Sequence, residues 1–358
     1  MAGVAVSPVR ARPRALRSPV RTTGIALTLA LLVAIVVASM AGAVKVTGAD
    51  WINLFTAGSE RSGGAHVLWE LRLPRTLLAC AVGAALGLAG ALTQGLFRNP
   101  LADPGLLGVT SGAVCAVALV LTVFAASAAA VPAAWRIWVL PLSAFAGALA
   151  VCFTLERLAR WLTPGSVTGL LLTGLALNAV AGALVGLCTY LATDEQLRSL
   201  SFWTLGSLAG ASWPVVGVLS LALAVALWSS RRIAQALNAL ALGEAVAAQV
   251  GVNVQALRTR LIVVVAVLAA LAVAWCGLIG FIGLMAPHFV RAAAGADQRA
   301  VLPLSMLCGA LLLLVADTVA RTVVVPAELP VGILTALIGG PAFMLVLRGL
   351  ARQQGGHA

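Results

Sequence analysis

The residues able to do chemistry in this sequence are few, and they stand in short groups between long apolar runs. Asp317 and Arg321 are four residues apart, which puts them on one helix face and predicts an ion pair. His288 follows Pro287 in an apolar run without nearby ligands, so we expect a structural or gating role and no metal site. The six cysteines lie in apolar runs without Cys-x-x-Cys spacing, which predicts buried, unreactive side chains. No catalytic residue is predicted.

The composition is that of a chain whose surroundings are largely lipid. Of its 358 residues, 61% are hydrophobic and only 9% are charged, against about a quarter charged in soluble domains. The net charge of +12 would fit a nucleic-acid-binding protein, but the basic residues form short clusters between apolar runs. We therefore predict an all-α, polytopic membrane protein with lipid as a partner and no nucleic acid.

Runs of about 20 apolar residues predict membrane-spanning helices, and about ten are present. The predicted spans are 24–44, 75–97, 105–127, 137–156, 166–191, 213–229, 260–276, 279–294, 301–320 and 332–348. With the N-terminus inside, most of the 23 basic residues fall on the cytoplasmic side, as the positive-inside rule requires. Both termini are then expected in the cytoplasm, with a basic tail at 1–23, a membrane domain at 24–350 and a tail at 351–358.

The energy source for any transport is expected outside this chain. A P-loop needs a lysine after its second glycine, and the single lysine, Lys45, stands in Ala-Val-Lys-Val. A secondary carrier usually places ionisable residues in mid-membrane, where only Glu156, His288 and Asp317 are candidates here. An oligomeric channel remains a further alternative, although the sequence has no re-entrant filter. We predict an ATPase partner.

Five motifs interrupt the spans. Arg72-Leu73-Pro74-Arg75 begins the second span, and Arg98 to Gly108, with Asn99, Pro100 and Pro104, forms the turn that follows it. A cytoplasmic insertion at 230–259, predicted as a helix pair, contains Leu242, Gly243, Glu244, Ala247 and Gly251, and its glycines are expected to end helices. Gly280 to His288 includes Gly283 and Pro287, whose proline is expected to kink or end the eighth span. Glu328-Leu329-Pro330-Val331-Gly332 enters the last span, in which Gly339-Gly340-Pro341 predicts a further break or kink.

With these five motifs in this order, the sequence resembles the iron-siderophore, haem and vitamin B12 permeases of type II ABC importers from about residue 45 to 348. The resemblance implies the fold of those permeases and a place in the bacterial plasma (inner) membrane. It implies a translocation path between two permease subunits, identical or homologous, for an iron-siderophore or related chelate. It also implies two ATPase subunits, which bind ATP and Mg, and a periplasmic or lipid-anchored binding protein. No cofactor is expected on this chain.

The resemblance also assigns roles to residues. Leu242, Gly243, Glu244, Ala247 and Gly251 match the family's ATPase-coupling helices. Arg72, Arg75 and Arg321 match outward arginines that pair with glutamates of the binding protein. The family's path, lined by the fifth span and the short helix after it, corresponds to residues 166–210, with Asn178, Thr189, Ser201 and Ser207 as lining candidates.

Overall fold

The computed structural model describes residues 19–42, 44–56, 62–324 and 327–355, which are helical and contain no strand. The helices are α1 (Pro19–Met40), α2 (Gly48–Thr56), α3 (Gly63–Val67), α4 (Leu73–Phe97), α5 (Val109–Leu121), α6 (Ala125–Ala129), α7 (Ala133–Leu162), α8 (Val167–Leu191), α9 (Asp194–Thr204), α10 (Trp213–Ala241), α11 (Glu244–Gln249), α12 (Val254–Cys276), α13 (Ile282–Ala294), α14 (Gln298–Ala320) and α15 (Val331–Gly355). A π-helical turn over Leu68–Arg72 joins α3 to α4, and a 3-10 turn over Pro104–Leu107 precedes α5.

Seven of the described helices are long and apolar enough to cross a membrane. They are α1, the continuous α3–α4 helix Gly63–Phe97, α7, α8, α10, α12 and α14. The other three predicted spans coincide with the shorter helix α5, with α13, and with α15, whose apolar part is Val331–Val346. The all-α membrane architecture is confirmed, and the count of ten crossings stays a prediction.

Several predicted boundaries were wrong. The third span ends at Leu121 instead of 127, because the chain turns at 122–124 before the short helix α6. Neither Pro287 nor Pro341 ends its helix, since α13 and α15 both continue through the proline, and the kink that the sequence offered as the alternative stays a prediction. The insertion at 230–259 is not a separate helix pair. Instead α10 extends to Ala241, α12 begins at Val254, and only the short helix α11 lies between them. Of the predicted basic tail, residues 1–18 lie outside the described part, and α1 already begins at Pro19.

Helix α4 is the centre of the bundle. It packs against α14, α13, α12 and α10, and nearly all of its residues are buried. Its small residues make this possible, since a Cβ added at Gly83, Gly87 or Gly90 would collide with backbone atoms of α14 or α13. Helices in lipid gain stability from such close backbone contact, because no hydrophobic effect drives them together. The face of α4 that carries these glycines is therefore the packing face of the bundle's core.

Candidate functional site

Two clusters of charged residues lie at opposite ends of α4, about 37 Å apart at 1.5 Å per residue. The first, called the arginine cluster, consists of Arg72, Arg75, Asp317, Arg321 and Glu328. The second consists of Glu244, Arg98 and Arg258. It lies beside residues 242–251, which connect α10 to α12 and are called the 242–251 segment. The arginine cluster and the 242–251 segment contain eight of the residues to which the sequence assigned a functional role.

In the arginine cluster, two guanidinium groups cap the C-terminal end of α1. Arg72 Nη1 donates to the carbonyl oxygens of Ser39 at 3.1 Å and Met40 at 2.7 Å, and Nη2 donates to that of Val44. Arg321 donates to the carbonyls of Ala38 and Ala41. The last carbonyls of a helix have no partner within it, and its C-terminal end attracts cations. Both arginines are therefore buried in contacts within the chain.

Arg75 forms the ion pair at the centre of the arginine cluster. Its Nη2 lies 2.8 Å from Asp317 Oδ1, and its Nη1 lies 2.7 Å from Glu328 Oε2. The predicted pair of Asp317 with Arg321 is present, but at 3.6 Å it is the longer contact. The side chain of Asp317 is fully buried, whereas that of Glu328 is 47% exposed. Glu328 is therefore the carboxylate of the cluster that water or another protein can reach.

The 242–251 segment presents apolar side chains to solvent. Leu242 is 74% exposed and Val250 is 66% exposed, while Ala247 is buried against the bundle. Gly243 has φ +120° and ψ 151°, a backbone conformation that is essentially confined to glycine. Gly251 also has a positive φ, at +85°. These two glycines let the chain leave α10, form the short helix α11 and enter α12, as the sequence predicted.

Glu244 ties the 242–251 segment to the bundle. Its Oε1 lies 3.2 Å from Arg258 Nη2 on α12 and 3.8 Å from Arg98 Nη2 at the end of α4. Arg98 itself ends α4 in the left-handed conformation, with φ +50°. One carboxylate thus connects α11 to the first turn of α12 and to the C-terminal end of the central helix. Sequence reasoning singled out Glu244 but missed Arg258 and its role as a partner.

The turn between α4 and α5 is fixed by side chains that bond to the backbone. Asn99 Oδ1 accepts a hydrogen bond from the Leu101 N–H at 2.9 Å, and Asp103 Oδ1 accepts one from the Gly105 N–H at 2.7 Å. Pro100 lies in the turn and Pro104 begins its 3-10 helix. Burial raises the pKa of the Asp103 carboxyl, and its bond to Gly105 opposes that shift.

On α13, Gly283 and Pro287 are buried, and a Cβ on Gly90 of α4 would collide with the Gly283 carbonyl. His288 is half-buried beside Phe289. Among the described residues, no group of three His, Cys, Asp or Glu side chains could hold a metal ion. These residues shape the helix contact between α13 and α4.

The four path candidates lie on or after α8, whose apolar window is only 17% buried. Asn178 is half-buried and its Oδ1 accepts a hydrogen bond from Ser111 Oγ at 2.6 Å, which ties α8 to α5. Thr189 donates to the Gly186 carbonyl within its own helix. Ser201 and Ser207 are exposed on α9 and just beyond it. The four residues therefore do not converge on one pocket within this chain.

Comparisons with known proteins agree with this architecture. Residues 30–349 match the model of the FecCD transport family. The chain is 46% identical over 291 residues to the hemin transport system permease HmuU of Yersinia pestis, with 81% of this chain and 86% of that protein aligned. It is 39% identical over 327 residues to the vitamin B12 import system permease BtuC of Klebsiella pneumoniae, covering 91% and 93% of the two chains.

Solved structures show the same fold. A transporter described as of the metal-chelate ABC type, in an inward-facing conformation, superposes with a TM-score of 0.79 at 32% identity. That match covers 92% of this chain and 99% of the other. PsaBC from Streptococcus pneumoniae, solved with a Fab, matches with a TM-score of 0.53 at 16% identity over 78% of this chain and 92% of that one, which speaks for the fold alone. Because the family match spans most of the chain and both relatives align along most of their length, the chain is a membrane permease that belongs to the FecCD transport family.

Proposed function

We propose that this chain is the permease subunit of an ABC importer for haem or a closely related metal chelate, driven by two separate ATPase subunits. The observation that carries the ATPase part is the exposed apolar surface of the 242–251 segment between α10 and α12. ATP and Mg are bound by the partner ATPases, and this chain holds no cofactor. The N- and C-termini and the 242–251 segment face the cytoplasm, as the charge distribution of the sequence favours.

The 242–251 segment exposes apolar side chains to which a partner can bind, and it is linked by ion pairs to α12 and α4. Leu242 and Val250 expose apolar area that a groove on a partner can bury. Glu244, through Arg258 and Arg98, passes a displacement of α11 to α12 and to the end of α4. Because α4 is packed on most of its faces, a shift at its end is transmitted to α13 and α14. The ATPase therefore moves the bundle through a charge contact and two flanking helices.

Arg75 is the arginine to which we assign the main contact with an extracytoplasmic binding protein. Arg72 and Arg321 are occupied in capping α1, so they position the docking face from within. Arg75 already contacts the exposed carboxylate of Glu328, and a glutamate of the binding protein can take that carboxylate's place. Charge pairs of this kind orient a partner and speed its encounter more than they add affinity.

Docking through Arg75 has a matched test. Arg75→Gln should slow association of the binding protein, whereas Asp317→Asn, which also breaks the buried pair but keeps the Arg75 charge, should slow it less. The rate is measured by surface plasmon resonance on transporter in nanodiscs. Equal effects of the two substitutions would remove Arg75 from the docking role.

The translocation path is assigned to the space between two permease subunits. Helix α8 packs on α5 and α7 along one side and exposes Leu172, Leu175 and Tyr190 on the rest of its surface. Such a face suits a second copy of the chain, or a homologous permease, with Asn178, Thr189, Ser201 and Ser207 near the path. Vitamin B12 or an iron-siderophore is the alternative cargo, supported by the 39% identity to a vitamin B12 permease.

Reconstituted transport tests the proposal. Proteoliposomes containing the chain with its co-purified ATPase should take up haem from a loaded binding protein when ATP is supplied inside, and vitamin B12 or a ferric siderophore is offered in parallel. Uptake of another chelate alone would change the cargo and keep the mechanism. Uphill uptake by the chain alone, driven by an ion gradient, would instead identify a secondary carrier.

A further inference from the structure

A groove of about 320 Å³ lies between α10 and the first turns of α14, and none of its lining residues belongs to either charged cluster. Its apolar part is formed by Leu227, Ala234 and Leu302. Its polar part is formed by Arg231, Arg299 and Gln298. This combination of an apolar floor with two cationic groups differs from the crevice between α1 and α14, which is lined by uncharged residues.

The two arginines of the groove have unused hydrogen-bonding capacity. Both side chains are exposed, and in the part of the chain that the structure describes neither guanidinium group donates a hydrogen bond. Arg299 uses its backbone N–H to bond Asp297 Oδ1 at 3.0 Å. A guanidinium group carries five donors that fit phosphate oxygens, so two such groups at one groove favour a phosphate-bearing ligand.

Gln298 is the uncharged polar residue of the groove. It is 8% exposed and lines the groove, but its Oε1 has almost no accessible surface and no hydrogen-bond donor among the described residues. The charged part of a ligand is therefore held by the two arginines and not by this oxygen.

One carboxylate lies near the groove and enters the charge balance. Asp297 Oδ1 accepts from Asn238 Nδ2 at 2.7 Å as well as from the Arg299 N–H. These hydrogen bonds keep the pKa of Asp297 below its usual range, so the carboxylate is charged at neutral pH. Two arginines against one carboxylate leave the groove with net positive charge, which favours an anionic over a zwitterionic ligand.

The position of the groove matches the headgroup level of a bilayer. On α10, Trp228 is 60% exposed and the guanidinium carbon of Arg232 lies 4.5 Å from the centre of its ring. Tryptophan rings concentrate at the membrane–water interface, and basic pockets between membrane helices bind anionic headgroups. The neighbouring Arg231 therefore reaches the layer in which lipid phosphates lie.

We infer that this groove binds the phosphodiester headgroup of an anionic phospholipid, such as phosphatidylglycerol. Arg231 and Arg299 hold the phosphate, and the apolar floor supports the start of an acyl chain. Because Asn238 and Asp297 link α10 to α14 beside the groove, a bound lipid fastens the two helices at the end where the 242–251 segment begins.

Native mass spectrometry of the detergent-purified full chain tests the site, with phosphatidylglycerol and phosphatidylcholine of the same acyl chains as probes. We expect preferential retention of phosphatidylglycerol, and a loss of about tenfold or more in affinity in the Arg231→Gln, Arg299→Gln double variant, since each arginine near lipid phosphate contributes about 1 kcal/mol.

The matched control is Arg232→Gln, which removes one positive charge at the adjacent residue. The guanidinium group of Arg232 stacks on Trp228 and does not line the groove. The Arg232→Gln variant should bind phosphatidylglycerol within about twofold of wild type, whereas Arg231→Gln should not. Equal losses in the two single variants would reduce the effect to general surface charge and overturn the site. Displacement of the lipid by millimolar inorganic phosphate would show a free-phosphate site instead, and equal retention of both lipids would contradict the inference. A thermal scan confirms that each variant is folded.

Discussion

The two ends of α4 use charge in opposite ways. At the arginine cluster, charges are buried and paired within the chain, and they lock α1, α4 and α14 together. At the 242–251 segment, a half-exposed carboxylate holds a short helix whose apolar side chains face solvent. One end of the bundle thus ties three helices together, and the other exposes apolar side chains that a partner surface can cover. If the 242–251 segment receives the ATPase, as proposed, the charged residues fasten helices at one end and transmit movement at the other.

The largest effect is expected from breaking the buried pair of the arginine cluster. Asp317→Ala leaves Arg75 and Arg321 without their buried counter-charge, and removal of one partner of a buried pair costs about 3–5 kcal/mol. Five of the six cysteines are buried, so a thiol-reactive dye reports unfolding during a thermal scan. Glu328→Gln, at the exposed side of the same arginine, is the control and should shift the midpoint much less. Equal midpoints for Asp317→Ala and wild type would contradict the fastening role.

At the other end, Val250→Glu should weaken ATPase binding and leave stability nearly unchanged. The substitution places a charge where we expect an apolar contact, and loss of a buried valine contact is worth about 1.5–3 kcal/mol, or at least tenfold in affinity. Retention of the ATPase during purification measures it. Gln249→Glu adds the same charge at the adjacent exposed position without removing apolar area. If both variants retain the ATPase equally, Val250 is not part of the interface.

Gly243→Ala tests whether the orientation of α11 relative to α10 depends on the backbone conformation that glycine allows at this position. The φ of +120° at Gly243 lies where other residues are strained by about 1–3 kcal/mol, although a Cβ there would meet no atom within 4 Å. We expect a reduced ratio of uptake to ATP hydrolysis, because α11 is reoriented. Gly217→Ala within α10, where a Cβ also has open space, should be neutral or slightly stabilising. Unchanged coupling in Gly243→Ala would show that the segment tolerates reorientation.

The smallest effect is expected at Asp297, which caps α14. Asp297→Ala removes the cap and should lower stability by about 1 kcal/mol. The pKa of this carboxyl is lowered in the folded protein, chiefly by its bond from the Arg299 N–H. Its stabilisation is therefore present above the ordinary pKa of an aspartate and is lost as pH falls through the lowered value. Asp297→Asn should keep the cap and remove this pH dependence, as thermal scans from pH 6 to pH 3 would reveal. An identical acid loss in Asp297→Asn would assign it to other groups.

What the sequence predicted well was set by local pattern. Apolar run length located the helices, and the glycines flanking 244–249 located the break between α10 and α12. The sequence left open whether Pro287 and Pro341 end or kink their helices, and α13 and α15 continue through both prolines. Helix ends also moved, as at α7, which runs from Ala133 where 137 was expected.

What the sequence did not predict were partners far apart in the chain. The spacing of Asp317 and Arg321 indicated an intrahelical pair, yet the shorter contact of Asp317 is with Arg75, 242 residues earlier. Arg72 and Arg321 were expected to be available to a binding protein, but both guanidinium groups bond to the end of α1. No local pattern encodes which helix ends meet. Docking of the binding protein to these arginines stays a prediction, and Arg75 is the one most available for it.

If a separate ATPase drives transport through the 242–251 segment, the Glu244→Arg variant should lose that drive. The substitution places a third arginine beside Arg98 and Arg258, which Glu244 now bridges. Because the three positive charges repel one another, α11 should detach from α4 and α12. In proteoliposomes with the partner ATPase, we expect ATP-dependent uptake to fall to the level seen without ATP, while the thermal midpoint of the chain stays close to wild type. Full ATP-driven uptake by the folded Glu244→Arg variant would show that the ATPase does not act through this segment.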